Sequence, residues 1–77
     1  MQIYKNLNGN SGVAAFEIGD DFIVVMFKDG RYKNYTYTYA SASVRHVENM
    51  KLLALGGKGL NSYVGLNVRN AFASKTA

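Results

Sequence analysis

Asp29-Gly30 lies directly between two runs rich in aromatic and β-branched residues, Phe22 to Lys28 and Arg31 to Tyr39. An Asp-Gly pair in that setting is a strong signal for a two-residue hairpin, because a type I′ turn needs positive φ at both central positions. So short a loop can join only antiparallel neighbours. Upstream, Val13 to Ile18 reads as another strand, and Gly19-Asp20-Asp21 supplies the turn into Phe22. The chain is thereby confined to a three-stranded antiparallel meander.

A two-residue loop also fixes a register. It sets Phe27 opposite Tyr32, Val25 opposite Asn34 and Ile23 opposite Thr36, with Met26 opposite Lys33, Val24 opposite Tyr35 and Phe22 opposite Tyr37. One face then collects Phe16, Ile18, Ile23, Val25, Phe27 and Tyr32, which is the predicted core face. The other carries Val13, Ala15, Phe22, Val24 and Met26, together with Lys28, Arg31, Lys33, Tyr35, Tyr37 and Tyr39. Antiparallel sheets commonly keep one face polar, so the patch of Phe22, Val24 and Met26 predicts a cover, either a second helix or another copy of the chain.

After Tyr39 the hydrophobic period changes. Val44, Val47, Lys51, Ala54 and Leu55 recur at helical spacing and predict a helix from about Ser43 to Leu55, capped by Ser41 or Ser43 and ended by Gly56-Gly57. His46 falls on its polar side, which predicts an exposed histidine. Leu60, Val64, Val68, Ala71 and Phe72 mark a second, shorter helix, weakened by Gly65. The expected fold class is α+β: a three-stranded antiparallel meander packed on a helix, followed by a second short helix. It forms a single domain over residues 1–77, with its core at about 12–72 and flexible segments at 1–11 and 73–77.

With 77 residues and no cysteine, the chain has neither a disulfide nor a thiolate metal site to staple it. One histidine and five carboxylates in no catalytic or metal-binding spacing predict a protein that is not an enzyme and needs no cofactor or metal. The longest apolar run, Phe22 to Phe27, is far short of the ~20 residues that span a bilayer. No basic start followed by an apolar stretch marks a secretory signal, so a cytoplasmic protein is expected.

A net charge of +4 favours anionic partners. Tyr35, Tyr37 and Tyr39 alternate along one strand with Arg31 and Lys33 on the same face, and single-stranded nucleic acid is held by rings for its bases and cations for its phosphates. The same tyrosines could equally serve to cover Phe22, Val24 and Met26. Gly56-Gly57-Lys58-Gly59 resembles an anion-binding turn but lacks the Walker spacing, leaving a plain helix-joining turn or a weak phosphate contact through Lys58. The expected function is a non-catalytic small binding module for RNA or single-stranded nucleic acid, using Lys28, Arg31, Lys33, Tyr35, Tyr37, Tyr39 and Lys58. The alternative is a protein-interaction or homodimerisation module built on Phe22, Val24 and Met26.

The order of hairpin, Asp-Gly hairpin, tyrosine-rich strand, helix ending in Leu52-Leu53-Ala54, and Gly57-Lys58-Gly59-Leu60-Asn61 resembles the KTSC domain family over residues 11 to 64. That family occurs alone in bacteria and at the C-terminus of some lysyl-tRNA synthetases. Its central Tyr-x-Tyr matches either Tyr35-Thr36-Tyr37 or Tyr37-Thr38-Tyr39. The sequence departs from the pattern with Gly57 in place of the family's serine, Leu60 where an aromatic is common, and no Val-Pro before the helix. The resemblance implies the same small α+β fold, no established activity, and RNA binding as suggested by the synthetase context.

Overall fold

In the computed structural model, which describes residues 1–77, the meander consists of Val13–Ile18 (β2), Phe22–Phe27 (β3) and Asn34–Thr38 (β4). Gln2–Ile3 (β1) adds to the β2 edge and Ser74–Thr76 (β5) to the β4 edge, giving one antiparallel sheet in the order β1-β2-β3-β4-β5. Between β4 and β5 come Tyr39–Ala42 (α1), Val44–Gly56 (α2) and Leu60–Tyr63 (α3), the last running on into a π-helical turn at Val64–Val68. No helix is long and apolar enough to cross a membrane.

The core forms where the helices meet one face of the sheet. Phe16, Ile23, Val25 and Tyr37 meet Val47, Met50 and Ala54 of α2, and Leu60, Val64 and Val68 close the other side. The stripe expected for the second helical segment is the one buried at Leu60, Val64 and Val68, but that of α2 is rotated: Val47 and Ala54 are buried with Met50, which the expected stripe left out, while Val44 and Leu55 stay 54% and 51% exposed. Gly57 ends α2 with φ +80°, and a Cβ there would stand 2.6 Å from that of Lys5. Both the left-handed turn and the passing N-terminal segment therefore require glycine.

The register between β3 and β4 differs from the expected one by a single residue. Val25 pairs with Tyr35 and Ile23 with Tyr37, while Val24 pairs with Thr36. A one-residue slip exchanges the two faces of a strand, so Tyr35 and Tyr37 point into the core and Thr36 points away. The tight Asp29-Gly30 turn gives way to a six-residue loop, Lys28 to Lys33, closed by the Phe27 N–H donating to the Lys33 carbonyl at 2.8 Å. Only Gly30 within it has positive φ, at +110°, which rules out a type I′ turn. Magnitudes explain the outcome. Burying a large side chain is worth about 1.5–3 kcal/mol, so two tyrosines in place of Asn34 and Thr36 outweigh the preference of one turn dipeptide.

Two further departures share a cause in local geometry. A bulge at Ala14, whose carbonyl accepts from the Tyr4 N–H at 3.0 Å, turns Val13 onto the core face beside Phe27. The core reaches before residue 12 through Tyr4, 3% exposed, and ordered structure continues past residue 72, where exposed Lys75 pairs with Tyr35 in the β5 edge. Segments with little to bury are held here by backbone pairing, and by the Leu60 N–H donating to the Tyr4 hydroxyl at 3.3 Å. The expected core residues Ile18 and Tyr32 remain 37% and 38% exposed. The second sheet face, with Phe22, Val24 and Met26 half-buried among their strand neighbours, is not covered by the second helix, whose apolar side is in the core.

Ser43 links α1 to α2 with φ +85° and ψ 154°, a region essentially reserved for glycine. Its hydroxyl accepts from the His46 N–H at 3.3 Å, a long bond. Replacement of Ser43 by glycine relieves the backbone strain at the cost of a cap worth a few tenths of a kcal/mol, and should raise stability by about 1 kcal/mol in urea denaturation. Tyr37→Ala should lower it by about 3–5 kcal/mol, whereas Tyr32→Ala should stay within about 0.5 kcal/mol. Equal effects for the two tyrosines would contradict the register.

Candidate nucleic-acid interface

The Lys28–Lys33 loop, the end of the π-helical turn and β5 converge at one end of the sheet and enclose a groove of about 520 Å³. Its apolar floor is Phe27, Tyr35, Tyr37, Val64 and Phe72, and its rim carries Arg31, Arg69 and Lys75 with Asp29 as the one carboxylate. The rings are fixed against one another: Tyr35 stands edge-on to Phe27 at 5.5 Å between centroids and to Phe72 at 5.1 Å. Lys75 Nζ lies 4.7 Å from the Tyr32 centroid and 5.4 Å from that of Phe72, and Arg31 sits 5.8 Å from the Tyr32 ring. Cations and ring faces thus form one surface.

Of the residues singled out in the sequence, Arg31, Tyr35 and Tyr37 line this groove. Lys28 and Lys33 are exposed at the two ends of the same loop. Tyr39 and Lys58 are placed elsewhere. The expected ladder of three exposed tyrosines on the outer sheet face does not form, because the register turns Tyr35 and Tyr37 inward and β4 ends at Thr38. Thr38 and Ser41 bond reciprocally in a capping box that starts α1 at Tyr39. From there the Tyr39 hydroxyl donates to Glu48 Oε2 at 2.6 Å, and Lys51 pairs with the same carboxylate at 2.8 Å.

Sequence reasoning missed Tyr32 and Phe72 as groove residues, and it missed Arg69 and Lys75 altogether. Phe72 was legible only as the end of a helical stripe. Nothing local marks Ser74–Thr76 as a strand. Its three exposed residues are ordered by the Lys33 N–H donating to the Thr76 carbonyl at 3.0 Å and by the Ala73 N–H donating to that of Thr36 at 2.7 Å.

Charge is sorted along the strands. Asp20 and Asp21 in the β2–β3 turn and Glu48 on α2 gather at one end, where Lys51 Nζ also donates to the Asp20 carbonyl at 2.9 Å. Lys28, Arg31, Lys33, Arg69 and Lys75 gather at the groove end. With Asp29 the one carboxylate among these five cations, the groove end is the net positive one.

Lys58 lines a smaller, polar cup of about 230 Å³ with Tyr4, Asn8, Ser11, Asn61 and Ser62. His46 is half-buried, against the exposed position expected for it: Asn49 Nδ2 donates to the Tyr63 hydroxyl at 3.1 Å, and that hydroxyl lies 2.6 Å from His46 Nδ1. These bonds tie α2 to α3. No group of three or more His, Cys, Asp or Glu side chains converges anywhere in the structure.

Comparisons with protein-family models, with curated proteins and with solved structures find no match. The class defined by fold and site is a small α+β domain with a cationic, ring-lined groove at one end of a five-stranded sheet.

Burial pushes the Tyr37 phenol up to about 12, and the neighbouring Tyr35 adds to the rise. Tyr39 is raised chiefly by its hydrogen bond to Glu48. Because the fold favours neutral Tyr37, its contribution to stability is complete below about pH 10 and is lost as the pH rises toward 12. Phenolate absorbance should therefore show a late-titrating component that Tyr37→Phe diminishes, and that variant should lose less stability across the same window. Titration of every tyrosine together near pH 10, in protein that is still folded, would contradict Tyr37 burial.

Proposed function

We propose that the protein is a non-catalytic binding module for RNA or other single-stranded nucleic acid, with the groove at the Lys28–Lys33 loop as its binding surface. The observation that carries this reading is the placement of Arg31 and Lys75 against the Tyr32 and Phe72 rings. Bases stack on such rings with little sequence preference, and phosphates meet the cations. The groove's volume lies within the range of ordinary ligand sites, so it takes a short stretch of chain. The charge sorting described above supports the same reading. So does the resemblance to the KTSC domain family, membership of which is part of the proposal.

A second reading has one observation in its favour. Phe22, Val24 and Met26 lie half-buried outside the helix-covered core, on the sheet face that a protein-interaction or homodimerisation surface would use.

Salt separates the two. Binding of single-stranded RNA through Arg31, Arg69 and Lys75 should weaken with salt at a slope of about 2 on logarithmic axes, from roughly 0.7 per neutralised phosphate. Arg69→Ala should reduce that slope by about 0.7, while Tyr32→Ala should cost about 1–3 kcal/mol of stacking and leave the slope unchanged. Tyr37 is unsuited to this test because its ring is core. No binding of RNA or single-stranded DNA at low salt would overturn the proposal. Concentration-dependent self-association insensitive to salt, abolished by Val24→Asp, would favour the second reading.

A further inference from the structure

The polar cup at Lys58 is separated from the groove by a single stretch of backbone. Ser11 lines the cup and Gly12 lines the groove, and Asn61 Oδ1 lies 3.5 Å from where a Gly12 Cβ would stand. Asn6 and Asn10 also line the cup, and Asn6 Oδ1 accepts from the Ser11 N–H at 3.0 Å; the Tyr4 and Ser11 hydroxyls are engaged as acceptors. The Tyr4 oxygen accepts from the Leu60 N–H at 3.3 Å, and the Ser11 hydroxyl oxygen accepts from the Val13 N–H at 3.1 Å. In each case the acceptor side is engaged by backbone and the hydroxyl proton has no acceptor in the protein. Tyr4 is 3% exposed, so the cup is the place where its proton finds one.

Lys58 Nζ, the Ser62 hydroxyl and the Nδ2 groups of Asn8, Asn10 and Asn61 are further donors beside the amide oxygens, and none of the lining residues is a carboxylate. A lysine with no counter-charge among its neighbours favours an anion over a neutral polyol. A cation beside hydroxyl and amide donors suits the several acceptor oxygens of a phosphate.

We propose that this cup is a phosphate-binding site, with Lys58 as its charge and the Tyr4 and Ser11 hydroxyls as fixed donors. The proposal rests on the nucleic-acid reading only for the source of the phosphate. That source is either the terminal phosphate of a strand lying in the adjacent groove or a separate phosphate-bearing ligand.

The test uses amide-resolved NMR of the full chain with inorganic phosphate, against chloride at matched ionic strength. Phosphate should move the amide signals of Ser11, Lys58, Asn61 and Ser62, with affinity falling about tenfold or more in Lys58→Ala. Tyr4→Phe should weaken binding as well. Lys58 is exposed, so its variant reports on binding even if Tyr4→Phe compromises the fold. No movement beyond that caused by chloride, or phosphate titrations of Lys58→Ala identical to those of the parent, would overturn the proposal. RNA with a terminal 5′-phosphate binding about tenfold tighter than its 5′-hydroxyl counterpart, with the gap lost in Lys58→Ala, places the strand's own phosphate in the cup. Equal binding of the two RNAs, with inorganic phosphate still bound, supports the site with a separate ligand as its source. Phosphate in the cup with no RNA binding at all leaves this proposal standing and removes the groove reading.

Discussion

The burial of Tyr37 between the sheet and the helices is the constraint on which the rest of the structure depends. Its ring is 1% exposed, in contact with a core built from Ile23, Val25, Val47 and Met50. Setting it there fixes which residue of β4 faces which residue of β3, and hence which side of every β4 residue is apolar. The register in turn sets the length of the Lys28–Lys33 loop. That loop carries Arg31 and Tyr32 to the mouth of the groove, while β4 itself supplies Tyr35 as its floor. The position of the site is thus a consequence of packing.

The sheet edges show how so small a domain manages exposed backbone. β1 contributes two residues and β5 three, each too short and too exposed to template another strand, and β5 carries a lysine at its centre. At β5 the same lysine borders the groove, since Lys75 lies against two of its rings. At β1 the chain continues into Tyr4, which joins the core and reaches α3 through its hydroxyl. A chain without cysteines is held at both ends by backbone pairing and one buried tyrosine.

Much of the fold was legible because the signals were periodic or tied to special backbone geometry. The β2–β3 hairpin followed from two β-branched runs around Gly19-Asp20-Asp21. α2 followed from its spacing, with the Ser43 cap and Gly57 terminator at its ends, and Leu60, Val64 and Val68 marked the face of the second helical segment. The register was not legible, because Asp29-Gly30 is a statement about turn preference over two residues, whereas burial of Tyr35 and Tyr37 depends on helices that arrive later in the chain. The Ala14 bulge was hidden for a similar reason: its carbonyl is engaged by Tyr4, which lies in a segment with no apolar period. Within the site, Arg31, Tyr35 and Tyr37 could be named from sequence because they sit in one run. Arg69, Phe72 and Lys75 join them only through the return of the chain to the β4 edge.

Core and groove share residues, which limits how either can change. Tyr35 and Tyr37 present one side to the packed interior and border the groove with the other, so their shape is set by stability before it is set by any ligand. Specificity can therefore vary more freely at Arg31, Tyr32, Arg69 and Lys75, which are exposed and can be exchanged without opening a cavity in the core. The division resembles that of larger domains in which loops on a rigid sheet carry recognition. Here it is compressed until the floor of the site and the centre of the fold are the same two tyrosines.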